Sequence, residues 1–263
     1  MALLRILVIT ITCGLAFVGR TTTPAHADGM PDRYAAGSAT ERGVYFSGYD
    51  GVTGSNYYFS GAIFALNGDL SKNGFAVRVY GSYDEFDNNN LGNGRNGDGR
   101  QWQGDVMLGY LFNRPHWSGG VYIGGDYQNV RLSPDDPTEK VRGTEFGFKV
   151  AGDIATERDL PYYFSLNGSY STAFETYWTR VRLGLTRHKV AFGIEGAALG
   201  DESFDAQRIG GFVIFDCNLI LSRPLEITLA AGHQFVGQTN GTTNTGIGGG
   251  EGTYGTVVFS VPF

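Results

Sequence analysis

The sequence predicts an all-β protein: a transmembrane antiparallel up-and-down β-barrel of about twelve strands, after a cleaved signal peptide. Three observations lead to this prediction. The chain begins with an export signal, and alternating segments of strand length fill most of the remaining sequence. The last eleven residues place Val257, Phe259, Val261 and Phe263 on one face and end on an aromatic residue. Such an ending is typical of the closing strand and insertion signal of bacterial outer-membrane barrels.

The N-terminal segment reads as a signal peptide. Arg5 supplies the basic start, residues 6–19 form an apolar run, and Ala25-His26-Ala27 forms a small-residue cleavage site. The apolar run is too short for a membrane-spanning helix. The sequence therefore divides into a signal peptide (1–27), a polar and flexible N-terminal arm (28–41) and the barrel (42–263). Cleavage near Ala27 implies export to the bacterial outer membrane.

Composition excludes several classes of protein. The chain has 26 Asp and Glu against 20 Lys and Arg, and an acidic chain is a poor partner for nucleic acid. The leader removes Cys13, so Cys217 has no partner for an intramolecular disulfide. No apolar run beyond the leader is long enough for a spanning helix, whereas 41 Gly, 18 Phe and 15 Tyr suit strands that alternate between lipid and a polar interior.

Twelve alternating segments come after the arm, each about long enough for a tilted spanning strand. Their number is even, as in most single-chain bacterial barrels. The predicted strands lie near 42–51, 56–67, 74–86, 101–113, 117–131, 143–156, 161–172, 175–187, 189–198, 206–218, 224–236 and 253–263.

The connections between these segments alternate in length. If both termini lie in the periplasm, the odd-numbered connections face outside and should be the longer ones. The first and seventh connections are shorter than this rule expects, and the second is longer. The long connections are 87–100, 133–143 and 237–252, and the short ones are 114–117, 157–161 and 222–224.

Charged residues share one face of each predicted strand, opposite an apolar face. Arg180 and Arg182, for example, alternate with Val181 and Leu183. A charge on the lipid face costs up to a few kcal/mol at the bilayer midplane, so these side chains should line the lumen. They either pair and fill the lumen or line a narrow channel. The candidate lumen residues are Arg78, Asp84, Asp105, Asp126, Glu145, Lys149, Asp153, Arg180, Arg182, Glu195, Arg208, Asp216 and Glu226.

Aromatic residues cluster near the ends of the predicted strands, where interfacial girdles lie. Tyr177 and Trp178 also have polar neighbours and could stack on glucan rings, although the girdle interpretation is favoured. The predicted girdle residues are Tyr57, Tyr58, Trp102, Tyr110, Phe112, Trp117, Tyr162, Tyr177 and Trp178.

Two predicted external loops are rich in carboxylates. Paired carboxylates can hydrolyse glycosides or bind calcium, but most acidic surface loops do neither. The favoured interpretation is solvated loops that could contact a glucan, and the residues concerned are Asp135, Asp136, Asp201, Glu202 and Asp205. His233 lies on the lipid-facing parity without a serine at matching height. We therefore predict no catalytic residues, no metal site and no cofactor.

Several blocks of sequence resemble a known family. The blocks SPDDPT, STAFETYW and GDESFDAQR, within a resemblance over most of 43–263, are similar to the cellulose biosynthesis protein BcsS family of alphaproteobacteria. The resemblance implies an outer-membrane component encoded with cellulose synthesis genes, and no catalytic residues can be carried over from it. Such an association with genes is weaker support for a function than a recognised site.

The expected function is that of a non-enzymatic accessory to cellulose biosynthesis, export or surface assembly. A narrow channel for small solutes and an outer-membrane hydrolase remain as alternatives. The expected partners are outer-membrane lipid, the barrel assembly machinery and cellulose or other export components. Because Pro262 lacks an N–H, we also expect strand pairing to stop by Val261.

Overall fold

The computed structural model describes residues 41–88, 97–137, 139–217, 225–239, 242–243 and 250–263. It consists of strands and one three-residue 3₁₀ turn, Ala173–Glu175. No helix in the described part of the chain is long and apolar enough to cross a membrane. The strands are β1 (Gly43–Val52), β2 (Ser55–Ala65), β3 (Gly74–Asn88), β4 (Gly97–Arg114), β5 (Trp117–Ser133), β6 (Gly143–Thr156), β7 (Tyr162–Ser171), β8 (Tyr177–Arg187), β9 (Val190–Gly200), β10 (Asp205–Asp216), β11 (Glu226–Val236), β12 (Gln238–Thr239), β13 (Thr242–Thr243) and β14 (Gly252–Pro262).

Twelve of these strands close into one antiparallel barrel, which confirms the predicted fold class. Strands β1 to β11 pair in sequence order, and β14 closes the barrel between β11 and β1. The two-residue strands β12 and β13 pair only with each other. Closure leaves no unpaired edge, which is the condition for a sheet to span a membrane.

The barrel has two distinct ends. We call the end where β1 begins and β14 finishes the terminal end, and the opposite end the loop end. The hairpin turns at 115–116 and 188–189 lie at the terminal end, whereas the connection 134–142 lies at the loop end. β10 finishes at Asp216 and β11 begins at Glu226. The predicted connection 222–224 lies outside the described residues.

Aromatic side chains form two rows on the outside of the barrel. At the loop end, Tyr49, Tyr58, Tyr83 and Trp102 are register partners on β1 to β4, with ring centroids 5.1 Å apart for Tyr49–Tyr58 and 4.3 Å for Tyr83–Trp102. The row at the terminal end contains Tyr110. Tyr110 lies eight positions after Trp102 on β4, which is about 21 Å along the barrel axis for a strand tilted by about 40°.

The surface between the aromatic rows is apolar and exposed. Val106 and Ile194 are 63% and 64% exposed, whereas Arg78 and Arg182 inside the barrel are almost inaccessible. This is the reverse of a soluble barrel. The height of the band is close to the ~25 Å apolar band of outer-membrane barrels. The terminal-end row comprises Phe263, Phe64, Phe75, Tyr110, Phe112, Trp117 and Tyr162.

Two residues predicted for the girdle face the interior instead. Tyr57 is 1% exposed and Trp178 is 3% exposed. Each belongs to a pair of adjacent aromatic residues, and neighbours along a strand point to opposite faces. Tyr58 and Tyr177 take the outer positions, so their partners must point inward.

The closing strand pairs further than expected. Pro262 is the register partner of Val44, and Phe263 exchanges two backbone hydrogen bonds with Gly43, of 2.9 and 3.1 Å. The expectation that pairing stops by Val261 is therefore wrong. Because Phe263 bonds β1, Pro262 turns its missing N–H toward β11, where the ladder has already ended at Ser260.

Candidate functional site

The interior of the barrel is the candidate functional site because most of the predicted polar residues lie there. Apolar side chains occupy both ends. Phe46, Ile63 and Leu111 belong to a cluster that reaches the middle from the terminal end, and a cluster around Phe212 and Ile214 lies beside it. Two clusters close the loop end, one comprising Trp178, Leu199, Phe204, Ala206 and Val236, and the other Phe86, Val130, Leu132, Val141 and Phe174.

A buried ion pair joins β10 to β1 between these apolar layers. The Arg208 guanidinium donates from Nη1 and Nη2 to the two carboxylate oxygens of Asp50, each over 2.9 Å. Its Nε donates to Gln234 over 2.8 Å, Thr256 donates to Asp50, and the Tyr254 ring lies 4.6 Å from the guanidinium. A two-fold Arg–carboxylate contact with its remaining hydrogen bonds satisfied is the arrangement that offsets desolvation of both charges.

A second pair lies on β8 and β9. Arg182 Nε donates to Glu195 Oε2 over 2.7 Å, and Tyr254 donates to Glu195 Oε1 over 2.6 Å. The neighbouring Arg180 donates to the Asn167 amide oxygen over 3.2 Å. Residues of β8, β9 and β14 thereby contribute to one network around Glu195.

A third group occupies the opposite wall. Lys149 donates to Asp105 over 2.9 Å, and Arg78 lies 3.8 Å from the other oxygen of the same carboxylate. The Tyr80 ring lies 5.0 Å from the Arg78 guanidinium and 5.4 Å from the Lys149 ammonium. The Tyr80 hydroxyl also makes a short contact with the Tyr57 hydroxyl. Tyr57 thus contributes to packing of the lumen rather than to a girdle.

Amide side chains hold the acids that lie nearer the loop end. Asp126 accepts from Gln128 over 2.8 Å and from Gln103 over 3.2 Å. Glu145 is less buried and accepts from the backbone N–H of Phe174 over 3.2 Å. Asp153 is also buried inside the barrel.

The terminal end carries a further buried cation. Arg158, in the connection 157–161, contacts Asp216 over 2.9 Å and makes a shorter contact with Glu226. Burial by itself would lower the pKa of the Arg158 guanidinium. The two carboxylates outweigh it and raise that pKa above its ordinary value. Arg158 therefore stays charged and closes this end of the interior.

The acidic residues predicted as loop contacts lie at the loop end. Asp135 is exposed and pairs with Arg142 over 3.1 Å, and Asp205 is exposed and accepts from the Tyr177 hydroxyl over 2.5 Å. Asp136 and Asp201 are half-buried and Glu202 is exposed. Burial raises the pKa of Asp201 to about 7, although hydrogen bonds from Ser203 oppose the shift.

Trp178 and Tyr177, the predicted glucan contacts, point to opposite faces of β8. Trp178 packs inside the loop-end cluster, and Tyr177 is half-buried with its hydroxyl on Asp205.

Large buried side chains occupy the interior that the described residues enclose. A void lined by Tyr57, Gln103, Lys149 and Trp178, among others, measures about 10 Å³, roughly the least that can hold one water molecule. Barrels of this strand number are wide enough to leave space unless large side chains fill it. Arg78, Arg182, Tyr57, Tyr254 and Phe46 are each less than 2% exposed and supply that filling. Among the described residues, the arrangement corresponds to a filled lumen.

Two charged interior residues were missed by the sequence prediction. Asp50 lies inside the predicted strand 42–51 and shares the inward parity of Phe46, but the candidate lumen residues do not include it. Arg158 lies outside any strand, so alternation gives no signal for it. The partners Gln101, Gln103 and Gln128 carry no charge but were detectable by the same parity as Asp105 and Asp126.

His233 and the predicted insertion-signal residues of the closing strand lie on the outer face of the barrel. No group of three or more His, Cys, Asp or Glu residues in the part of the chain that the structure describes could hold a metal ion. His233 lies on the outer face, 3.8 Å from the exposed Glu251, and its register partners are Ile209 and Thr253. Val257, Phe259 and Val261 of the closing strand also lie on the outer face, with Phe263 packed 5.6 Å from Phe64.

Comparison with known families decides the family. A family model described as cellulose biosynthesis protein BcsS matches residues 44–263. The chain belongs to the BcsS family. The match begins at the second residue of β1 and continues through β14 to Phe263, so it covers almost the whole barrel.

Solved structures give a weaker likeness. CdiB from Escherichia coli is 10% identical, with a TM-score of 0.39, and the match covers 92% of this BcsS-family chain and 66% of that chain. CdiB from Acinetobacter baumannii is 9% identical, with a TM-score of 0.34 and coverage of 92% and 64%. The chain therefore spans slightly less than two thirds of each CdiB chain. No curated protein matches it.

Proposed function

We propose that this protein is a non-enzymatic outer-membrane barrel that assists cellulose biosynthesis, export or surface assembly through its surfaces rather than through a pore. The observation that carries the proposal is the filled lumen. Membership of the BcsS family connects the barrel to cellulose biosynthesis. The ion pairs and apolar clusters inside it argue against a passage for polymer or solute.

The terminal end then faces the periplasm and the loop end faces the outside. The aromatic rows and the apolar band between them support insertion in a lipid bilayer. Outer-membrane lipid and the barrel assembly machinery are accordingly the expected partners. Cellulose or another export component would contact one of the two exposed ends.

Deletion of the gene tests the proposal. We expect less cellulose-dependent biofilm, with unchanged cellulose synthase activity in isolated inner membranes. Unchanged biofilm would remove the proposal, and lower synthase activity would move the role to the inner membrane.

Complementation can identify the end that acts. Glu202→Ala changes an exposed carboxylate at the loop end, and Asp159→Ala changes an exposed carboxylate at the terminal end. If polymer is handled at the cell surface, Glu202→Ala reduces rescue and Asp159→Ala does not. The opposite result would place the contact in the periplasm.

Recordings from planar bilayers separate this proposal from a channel. The filled lumen predicts no conductance from the purified barrel over the ordinary voltage range. A steady ion current from the wild-type protein would overturn the filled-lumen argument directly.

A further inference from the structure

A line of polar side chains crosses three adjacent strands near the loop end. Asp84 on β3 and Gln101 on β4 are register partners, and Gln101 Nε2 donates to Gln128 Oε1 on β5 over 3.0 Å. Gln128 Nε2 in turn donates to Asp126 Oδ2 over 2.8 Å. All four side chains are at least 97% buried. The line thus runs from one carboxyl group to another through two amides.

The direction of this line is fixed at the Gln128 amide. Besides Asp126, Gln128 Nε2 donates to Thr176 Oγ1 over 2.8 Å, and the backbone oxygen of Ala173 lies 3.3 Å from the same nitrogen. A backbone oxygen only accepts, so the nitrogen of Gln128 must point that way and its oxygen must point toward Gln101. Gln101 must then present its nitrogen to Gln128, which leaves its own oxygen for another donor.

The two ends of the line therefore cannot be alike. Asp126 receives two amide donors, from Gln128 and Gln103, and is satisfied as an anion. At the other end, Asp84 Oδ2 and Gln101 Oε1 are both buried oxygens without a hydrogen-bond donor in the described structure. Register partners of this kind have Cβ atoms about 4.5–5.5 Å apart. Two facing acceptors require a donor between them.

We propose that Asp84 is a proton-binding site, whose carboxylic O–H donates to Gln101 Oε1 and completes the line to the Asp126 anion. One proton satisfies both remaining oxygens, and Ser55 donates to the other carboxyl oxygen over 3.3 Å. Asp84 lies one residue beyond Tyr83 of the aromatic row at the loop end, and the next side chain on the same inner face is the buried Phe86. It therefore sits at the boundary between the polar interior and the apolar cluster that closes the loop end.

Burial of Asp84 favours a neutral group, and the charges around it act in the same direction. Asp50 on β1 is close enough to repel a negative charge there, and its own charge is already taken by Arg208. Glu85, the next residue of β3, adds repulsion from the outer face and lies 3.7 Å from Arg100. On β2, the register partner of Asp84 is Tyr57. None of the ion pairs in the described part of the chain supplies Asp84 with a cation.

Two matched substitutions test the direction of the line. In Asp84→Asn the new amide can donate to Gln101 as the carboxylic acid does, so thermal stability should stay near that of the wild type. In Asp126→Asn one amide donor would face another, and we expect the melting temperature to fall by about 4–8 °C. Equal losses from the two substitutions, or a larger loss from Asp84→Asn, would overturn the proposal.

Infrared spectroscopy of the wild type and the Asp84→Asn variant keeps the test decisive if Asp126→Asn does not fold. At neutral pH the wild type should show the carbonyl stretch of a protonated carboxyl group that is missing from Asp84→Asn. No difference in that band would mean that a water molecule or a cation fills the position, which would overturn the proposal.

The pH dependence of unfolding provides a second check. A native chain that holds a proton which the unfolded chain releases becomes less stable as pH rises toward neutrality. Asp84→Asn should remove that part of the slope, and an unchanged slope would contradict the assignment.

Discussion

The Asp50–Arg208 pair allows the most direct test of the filled interior. Asp50→Asn keeps the shape of the side chain but removes the charge that accepts from Arg208 and Thr256. It leaves a buried guanidinium opposite a group that donates as well as accepts. Loss of one partner of a buried ion pair costs about 3–5 kcal/mol. The remaining contacts of Arg208, to Gln234 and the Tyr254 ring, place the expected loss toward the lower half of that range.

Asp135→Asn is the matched control for this substitution. Asp135 also contacts an arginine, with Arg142 Nη1 3.1 Å from both carboxylate oxygens, but the pair is exposed. Exposed pairs contribute about 0.2–1 kcal/mol. Urea unfolding of the barrel in lipid vesicles, followed by tryptophan fluorescence, measures both variants. If Asp50→Asn costs no more than Asp135→Asn, the interior is hydrated and the filled-lumen argument fails.

Two further predictions concern the loop end and the wall of the barrel. Burial raises the pKa of Asp201 from its ordinary value of 3.8 to about 7. The contribution of Asp201 to stability is therefore complete below pH 3.8 and is lost as the pH rises through about 7. Asp201→Asn should flatten the pH dependence of amide exchange around Ser203. A Cβ at Gly124 would overlap the backbone oxygen of Val106, whereas a Cβ at Gly125 meets nothing within 4 Å. In urea unfolding, Gly124→Ala should therefore cost about 1–3 kcal/mol and Gly125→Ala almost nothing. Equal losses from the two substitutions would contradict the local packing.

Strand number and orientation could be predicted because a barrel in lipid imposes a strict period of two on the chain. The four charges Arg78, Asp105, Arg180 and Arg182 could be assigned to the interior for the same reason. For two adjacent aromatic residues, alternation along the strand predicts only that one of them points inward and not which one. The choice between Tyr57 and Tyr58 depends on register with β1 and β3, which is a long-range property.

Whether the lumen is open could not be predicted from the sequence. Both a channel and a filled barrel need polar side chains on the inner face, and strand number alone fits either. The answer depends on which charges meet across the barrel. Asp50 and Arg208 are separated by 158 residues, and nothing in their local sequence relates them. The filling of the interior depends in the same way on the long reach of arginine and tyrosine side chains.

The position of the Asp50–Arg208 pair has a consequence for the order of assembly. Arg182 and Glu195 belong to one hairpin, so they can meet as soon as β8 and β9 pair. Asp50 and Arg208 lie on opposite sides of the seam between β1 and β14, and they meet only when the first and last strands join. Before closure, Arg208 near the C-terminal edge of the open sheet therefore lacks its anion, and Asp50 on the N-terminal edge strand lacks its cation. Their pairing therefore stabilises only the closed barrel and contributes nothing at any earlier stage of insertion.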